Sequence, residues 1–146
     1  MQILVINGPN LNFLGVRQPE IYGTATYDDL ADMIQAEADR LGVSVRFFQS
    51  NHEGEIVDAI QEAYFDKMDG IIINPGAYTH TSVALLDAVK AVSIPTVEVH
   101  ISDPDTREEF RHISYIRAAC VATIKGHGLE GYLEALRLLA KGEHHV

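Results

Sequence analysis

Short runs of β-branched and other apolar residues alternate along the chain with stretches in which apolar positions recur every three or four residues. The first pattern predicts strands buried on both faces and the second predicts helices that cover them, so their alternation predicts a parallel sheet with helices on both sides. Strands are read at Gln2 to Ile6, Val43 to Gln49, Gly70 to Ile73, Pro95 to Val99 and Ala119 to Ile124. Thr26 caps a first helix whose apolar face is Leu30, Met33, Ile34, Ala38 and Leu41 and which ends at Gly42. A second begins at Asn51 or His52 and runs through Ile56, Ile60, Ala63 and Tyr64, and a third, capped by Thr79, carries Val83, Leu86, Ala88 and Val89. The last runs from about Leu129 to Ala140 with Tyr132, Leu133, Leu136 and Leu139 facing inward. The stretch from Ile101 to Arg117 reads as a loop with a short turn around Glu108 to Phe110, and the tail Glu143 to Val146 reads as frayed.

Right-handed crossovers between five such strands predict an α/β, flavodoxin-like three-layer fold with strand order 2-1-3-4-5. A length of 146 residues suits one domain spanning 1–146. The formal charge of -10, from 21 acidic against 11 basic residues, argues against nucleic acid or an anionic membrane as a partner. It leaves room for a small anionic substrate held by a local basic pocket. The single Cys120, inside the apolar run Ala118 to Ala122, reads as a buried, inert thiol. No apolar run approaches the roughly 20 residues that span a bilayer, and the N-terminus reads as a strand, so a cytoplasmic location is expected.

In a parallel α/β sheet ligands bind at the carboxyl ends of the strands. Three strands run into segments rich in amide, imidazole and hydroxyl groups: Asn7-Gly8-Pro9-Asn10-Leu11-Asn12, Asn74-Pro75-Gly76-Ala77-Tyr78-Thr79-His80-Thr81-Ser82, and His100-Ile101-Ser102. Such groups suit a small polyhydroxylated substrate. The polar connection from Asn7 to Ala25 is long enough to read as an active-site lid, with Gly15 and Gly23 as hinges and Arg17 and Tyr22 between them. A free phenol ionises near pH 10, so a tyrosine base at neutral pH needs about 4 kcal/mol of help, roughly what one guanidinium at about 4 Å supplies. Local sequence leaves plainer readings open: Tyr22 as a loop anchor, Asn10 and Asn74 as turn residues, and His80 as a helix cap. His100 also reads as a satisfied strand-end histidine, Arg111 as a partner of Glu108 or Glu109, and Asp87 as a solvated carboxylate. His52, His112, His127 and the terminal pair His144 and His145 lack a metal-ligand spacing supported by other ligands, and Gly126-His127-Gly128 with Gly131 is too weak a pattern for nucleotide binding.

Taken with Arg17-Gln18-Pro19-Glu20-Ile21-Tyr22-Gly23, Glu98-Val99-His100-Ile101-Ser102 and Arg107-Glu108-Glu109-Phe110-Arg111-His112, these segments resemble the type II 3-dehydroquinate dehydratases over nearly the whole chain. The resemblance implies a homo-oligomer, a dodecamer built as four trimers, that converts 3-dehydroquinate to 3-dehydroshikimate through an enolate, with no metal and no organic cofactor. It implies that Tyr22, kept anionic by Arg17, removes the C2 proton, that Asn10 helps hold a water on the enolate, and that His100, oriented by Glu98, protonates the departing C1 hydroxyl. The backbone and hydroxyl around Ile101 and Ser102 would take the substrate carboxylate, Asn74, His80 and Arg111 the ring hydroxyls, and Asp87 would reach a neighbouring subunit's site. The implied setting is the shikimate route to aromatic amino acids, with quinate breakdown as an alternative use of the same reaction. The sequence departs from the family's pattern at Gln18, at Asp103-Pro104-Asp105-Thr106 and at Ile113. A rival reading is a flavodoxin-like protein binding FMN or a phosphorylated ligand, but that asks for a Ser/Thr/Gly-rich phosphate loop where this chain has Pro9 and Asn10.

Overall fold

Alternate residues of the first strand are buried on opposite sides of a sheet: Ile3 and Val5 pack into one apolar cluster, Leu4 and Ile6 into another. That double burial is what a run of β-branched residues without polar alternation produces. The protein, seen in a computed structural model that describes residues 1–142, has five parallel strands: β1 (Gln2–Asn7), β2 (Ser44–Gln49), β3 (Gly70–Asn74), β4 (Thr96–His100) and β5 (Ala122–Lys125). Their order is β2-β1-β3-β4-β5, the order expected from the sequence. The tail from Glu143, read as frayed, lies outside the described residues.

Among the described residues five α-helices accompany the sheet: α1 (Pro19–Tyr22), α2 (Tyr27–Leu41), α3 (Glu53–Phe65), α4 (Val83–Val92) and α5 (Glu130–Lys141). Leu30, Ile34 and Ala38 of α2 and Leu133, Leu136 and Leu139 of α5 cover Ile3, Val5, Ile72, Val97 and Val99. On the other face Ile56, Ile60 and Ala63 of α3 and Leu85, Ala88 and Val89 of α4 cover Leu4, Ile6, Ile71 and Ile73. Met33 and Tyr64, counted on the apolar faces, lie at the rims and are exposed. Thr26 caps α2 as expected, and Asp29 returns the bond to make a reciprocal capping box, while Gly42 closes the helix in the left-handed conformation. No helix among the described residues is long and apolar enough to cross a membrane.

The connection leaving β1 runs to β2 on one side and that leaving β3 runs to β4 on the other, so the crevice between the β1 and β3 ends is a topological switch point. Two loops meet there at van der Waals distance. The Gly8 amide donates to the Asn74 carbonyl at 2.8 Å, and a Cβ on Gly8 would stand 2.5 Å from the Pro75 carbonyl oxygen, so only glycine fits.

Three local expectations are corrected. Thr79 does not cap α4: Gly76, at φ +59°, starts a separate tight turn over Gly76–His80, inside which the Thr79 hydroxyl donates to the Gly76 carbonyl at 2.6 Å. Ser82 is the cap, accepting from the Leu85 amide at 3.0 Å, and this later start buries Leu85 while leaving Val83 exposed and Leu86 half-buried. The fifth strand begins at Ala122 instead of Ala119, because Ile116–Ala119 forms a turn that sinks Ile116 into the core beside α4. The stretch from Ile101 to Arg117 holds further turns at Pro104–Thr106 and Glu109–His112, where one was expected. Cys120 is half-buried, and burial pushes its thiol up to about 12, which keeps it protonated. Ser82→Ala is expected to destabilise the protein by about 1 kcal/mol, the usual worth of an N-cap hydroxyl, with Ser82→Thr retaining most of it in urea unfolding. No measurable loss in the alanine variant would assign the start of α4 to something other than this cap.

Candidate active site

The long connection after β1 is not structureless. Leu11 and Leu14 anchor it by burial, a tight turn spans Leu11–Phe13, and Pro19 opens α1, which ends on Tyr22. Gln18, just before it, is held in the left-handed region at φ 39°. This arrangement brings Arg17 and Tyr22 over the ends of β3 and β4. They join Leu11, Asn74, Gly76, Ala77 and His80 after β1 and β3, and His100, Ile101, Ser102, Pro104, Arg107 and Arg111 at and after the end of β4, to line a cleft. Arginines 17, 107 and 111 face it and no carboxylate among the described residues lines it, so a chain of charge -10 presents a cationic pocket here.

Tyr22 sits between two guanidinium groups. Arg17 lies over its ring, Cζ 4.6 Å from the centroid, and Arg107 Nη1 donates to the phenolic oxygen at 2.6 Å. A short bond from a cationic donor stabilises negative charge on that oxygen. Arg107 was not singled out as a site residue from the sequence. It reaches Tyr22 across 85 residues, because the Pro104–Thr106 turn aims it inward.

Glu98, fully buried on β4, accepts from His100 Nε2 at 2.5 Å, Ser114 Oγ at 2.7 Å, Thr123 Oγ1 at 3.0 Å and Arg117 Nε at 3.0 Å. Burial pushes its carboxyl up, but the donors, His100 and Arg117 foremost, outweigh it and hold the group down at about 2. A carboxylate can only accept, so His100 donates through Nε2 and keeps Nδ1 for the cleft. His80 uses Nδ1 toward the Ile113 carbonyl at 2.7 Å, and burial lowers its pKa, favouring a neutral ring whose Nε2 accepts.

Asn74 is fixed from behind: its Oδ1 accepts from the Gly76 amide at 3.1 Å and its Nδ2 donates to Tyr132 Oη at 2.9 Å. Tyr132 in turn donates to Asn7 Oδ1 at 2.6 Å, and its complete burial raises its pKa, so this phenol stays protonated. Neither Tyr132 nor Asn7 was picked out from the sequence as supporting the site. Arg111 lines the cleft while pairing with Glu108 at 2.6 Å, so the surface ion pair and the cleft position coexist. Three predicted residues do not line this cleft, one of them being Glu98, which is buried behind His100. Asn10, at φ 70°, is exposed and ties its amide to Asn51 Oδ1 at 3.0 Å, and Asp87 is exposed on α4.

Residues 1–140 match the family model described as Dehydroquinase class II. The chain is 59% identical to the 3-dehydroquinate dehydratase of Caldicellulosiruptor bescii, covering 94% of this chain and 95% of that one. It is 56% identical to that of Clostridium perfringens over 95% of this chain and 96% of the relative. Its structure superimposes on the type II dehydroquinase of Butyrivibrio crossotus with a TM-score of 0.94 at 55% identity, covering 95% and 97% of the two chains. With family model, full-length relatives and fold in agreement, the chain belongs to the class II dehydroquinase family.

Proposed function

We propose that this chain, as a single catalytic domain, removes water from 3-dehydroquinate to give 3-dehydroshikimate in the route to aromatic amino acids, a reading supported by its family membership. Tyr22 as phenolate takes the C2 proton beside the ketone, and the electron pair moves into an enolate. Collapse of the enolate expels the C1 hydroxyl, to which His100 Nδ1 gives a proton, so the proton and hydroxyl leave as one water. The observation that carries this reading is the pairing of Tyr22 Oη with the Arg107 guanidinium at 2.6 Å, in a cleft that also holds His100 backed by Glu98. Arg17 complements Arg107 from the ring face.

The substrate's carboxylate is met by the Ile101 and Ser102 segment, its ring hydroxyls by Asn74, His80 and Arg111, and Asn10 approaches the enolate through a water once the lid closes. Both proton transfers fall to side chains, with neither metal nor organic cofactor taking part. The enzyme is cytoplasmic and acts as a dodecamer of four trimers, in which Asp87, exposed on α4, serves a neighbouring cleft. Adding 3-dehydroquinate to the purified protein is expected to raise ultraviolet absorbance as the conjugated enone forms, equally with and without a chelator. No rise would overturn the reaction, and loss of the rise with chelator would overturn the metal-free route.

A further inference from the structure

Glu98 gives His100 only part of its hydrogen-bonding capacity. Arg117 grips the same carboxylate with two prongs, Nε on Oε1 at 3.0 Å and Nη2 on Oε2 at 3.3 Å. Oε2 is also the oxygen that His100 Nε2 uses, so histidine and arginine compete for one atom while Thr123 and Ser114 complete the shell. We propose that Arg117 is a positioning residue for the general acid: by sharing Glu98 with His100 it limits how strongly that carboxylate retains the imidazolium, and so keeps His100 able to release its proton.

A carboxylate paired with His100 alone would stabilise the protonated ring with its full field, and a second cation on the same carboxylate cancels part of it. The other charged or titratable groups around His100 are His80, Tyr22, Arg17, Arg107 and Arg111 in the cleft and Lys125, its register partner on β5. Apart from His100, Arg117 is the cation that ion-pairs with Glu98 among the described residues, so it acts through the carboxylate and not through the cleft. Its side chain is 37% exposed, which screens the effect without abolishing it.

The test compares wild type, Arg117→Met and Arg117→Lys by two readouts. Nuclear magnetic resonance of ¹³C-labelled histidine follows the His100 titration without substrate, and the pH profile of kcat follows its alkaline limb. In Arg117→Met both are expected to move up by about one pH unit, with a several-fold lower plateau kcat and little change in KM, and Arg117→Lys should restore most of the shift. A titration that stays in place or moves down in a variant that unfolds cooperatively, or a lysine variant indistinguishable from the methionine one, would overturn the assignment. Arg117→Gln supplies the neutral side chain if methionine prevents folding. The kinetic arm rests on the proposed dehydration, whereas the resonance titration does not, so a protein inactive on 3-dehydroquinate still reports on Arg117.

Discussion

Tyr22→Phe is expected to lower kcat by about 10²- to 10⁴-fold, the usual worth of a positioned general base, with KM close to wild type. The substitution removes one oxygen and leaves the ring, so Arg17 keeps its stacking contact at 4.6 Å and α1 keeps its packing. What disappears is the acceptor that Arg107 holds at 2.6 Å. Because the phenolate acts on the C2 proton only in the transition state, kcat and kcat/KM should fall together. Arg107→Met should move in the same direction, since the oxygen then loses its cationic donor while the stack with Arg17 remains. Steady-state measurement of enone formation decides the matter: turnover within a few-fold of wild type in Tyr22→Phe removes this residue from proton abstraction.

What could be read from the chain separates by the distance over which each feature is determined. The Thr26 cap and the Gly42 terminus of α2 are decided within four residues of themselves, and both were legible. Strand order followed from the alternation of β-branched runs with amphipathic stretches, because right-handed crossovers leave few alternatives. The α4 cap was misplaced because Thr79 and Ser82 carry equivalent hydroxyls. Choosing between them requires knowing that Gly76, packed against Pro9, has already opened a turn of its own. The fifth strand was begun three residues early since Ala119, Cys120 and Val121 continue its apolar run, and only the packing of the Ile116–Ala119 turn against the α4 layer shows that the strand starts later.

The site divides in the same way. Tyr22, Arg17, His100 and Glu98 stand in blocks that could be read directly, whereas their supports come from afar. Tyr132 reaches Asn7 across 125 residues, and Thr123 reaches Glu98 across 25. Arg107 and Arg111 occupy one block, and no local pattern tells which of them turns toward the phenol. That depends on the turn opened by Asp103, whose side chain caps the Asp105 amide at 3.0 Å, while Lys125 of β5 pairs with Asp105.

His100→Ala should also reduce kcat by about 10²- to 10⁴-fold, as expected for loss of a general acid from a poor leaving group. The variant should fold, because Glu98 is not left as an orphaned buried charge: Arg117, Ser114 and Thr123 still donate to it. The pH dependence of this network also distinguishes its members. The Glu98 carboxyl titrates at about 2 in the folded protein against an ordinary 4.5, so the stability it contributes is complete above about 4.5 and is lost as pH falls toward 2. Glu98 therefore stays ionised around neutrality, and a change in rate there does not come from its protonation. Loss of the alkaline limb of kcat together with the drop in rate in His100→Ala assigns that limb to the imidazole. A variant that keeps both the rate and the profile of the wild type would take the proton donor elsewhere in the cleft.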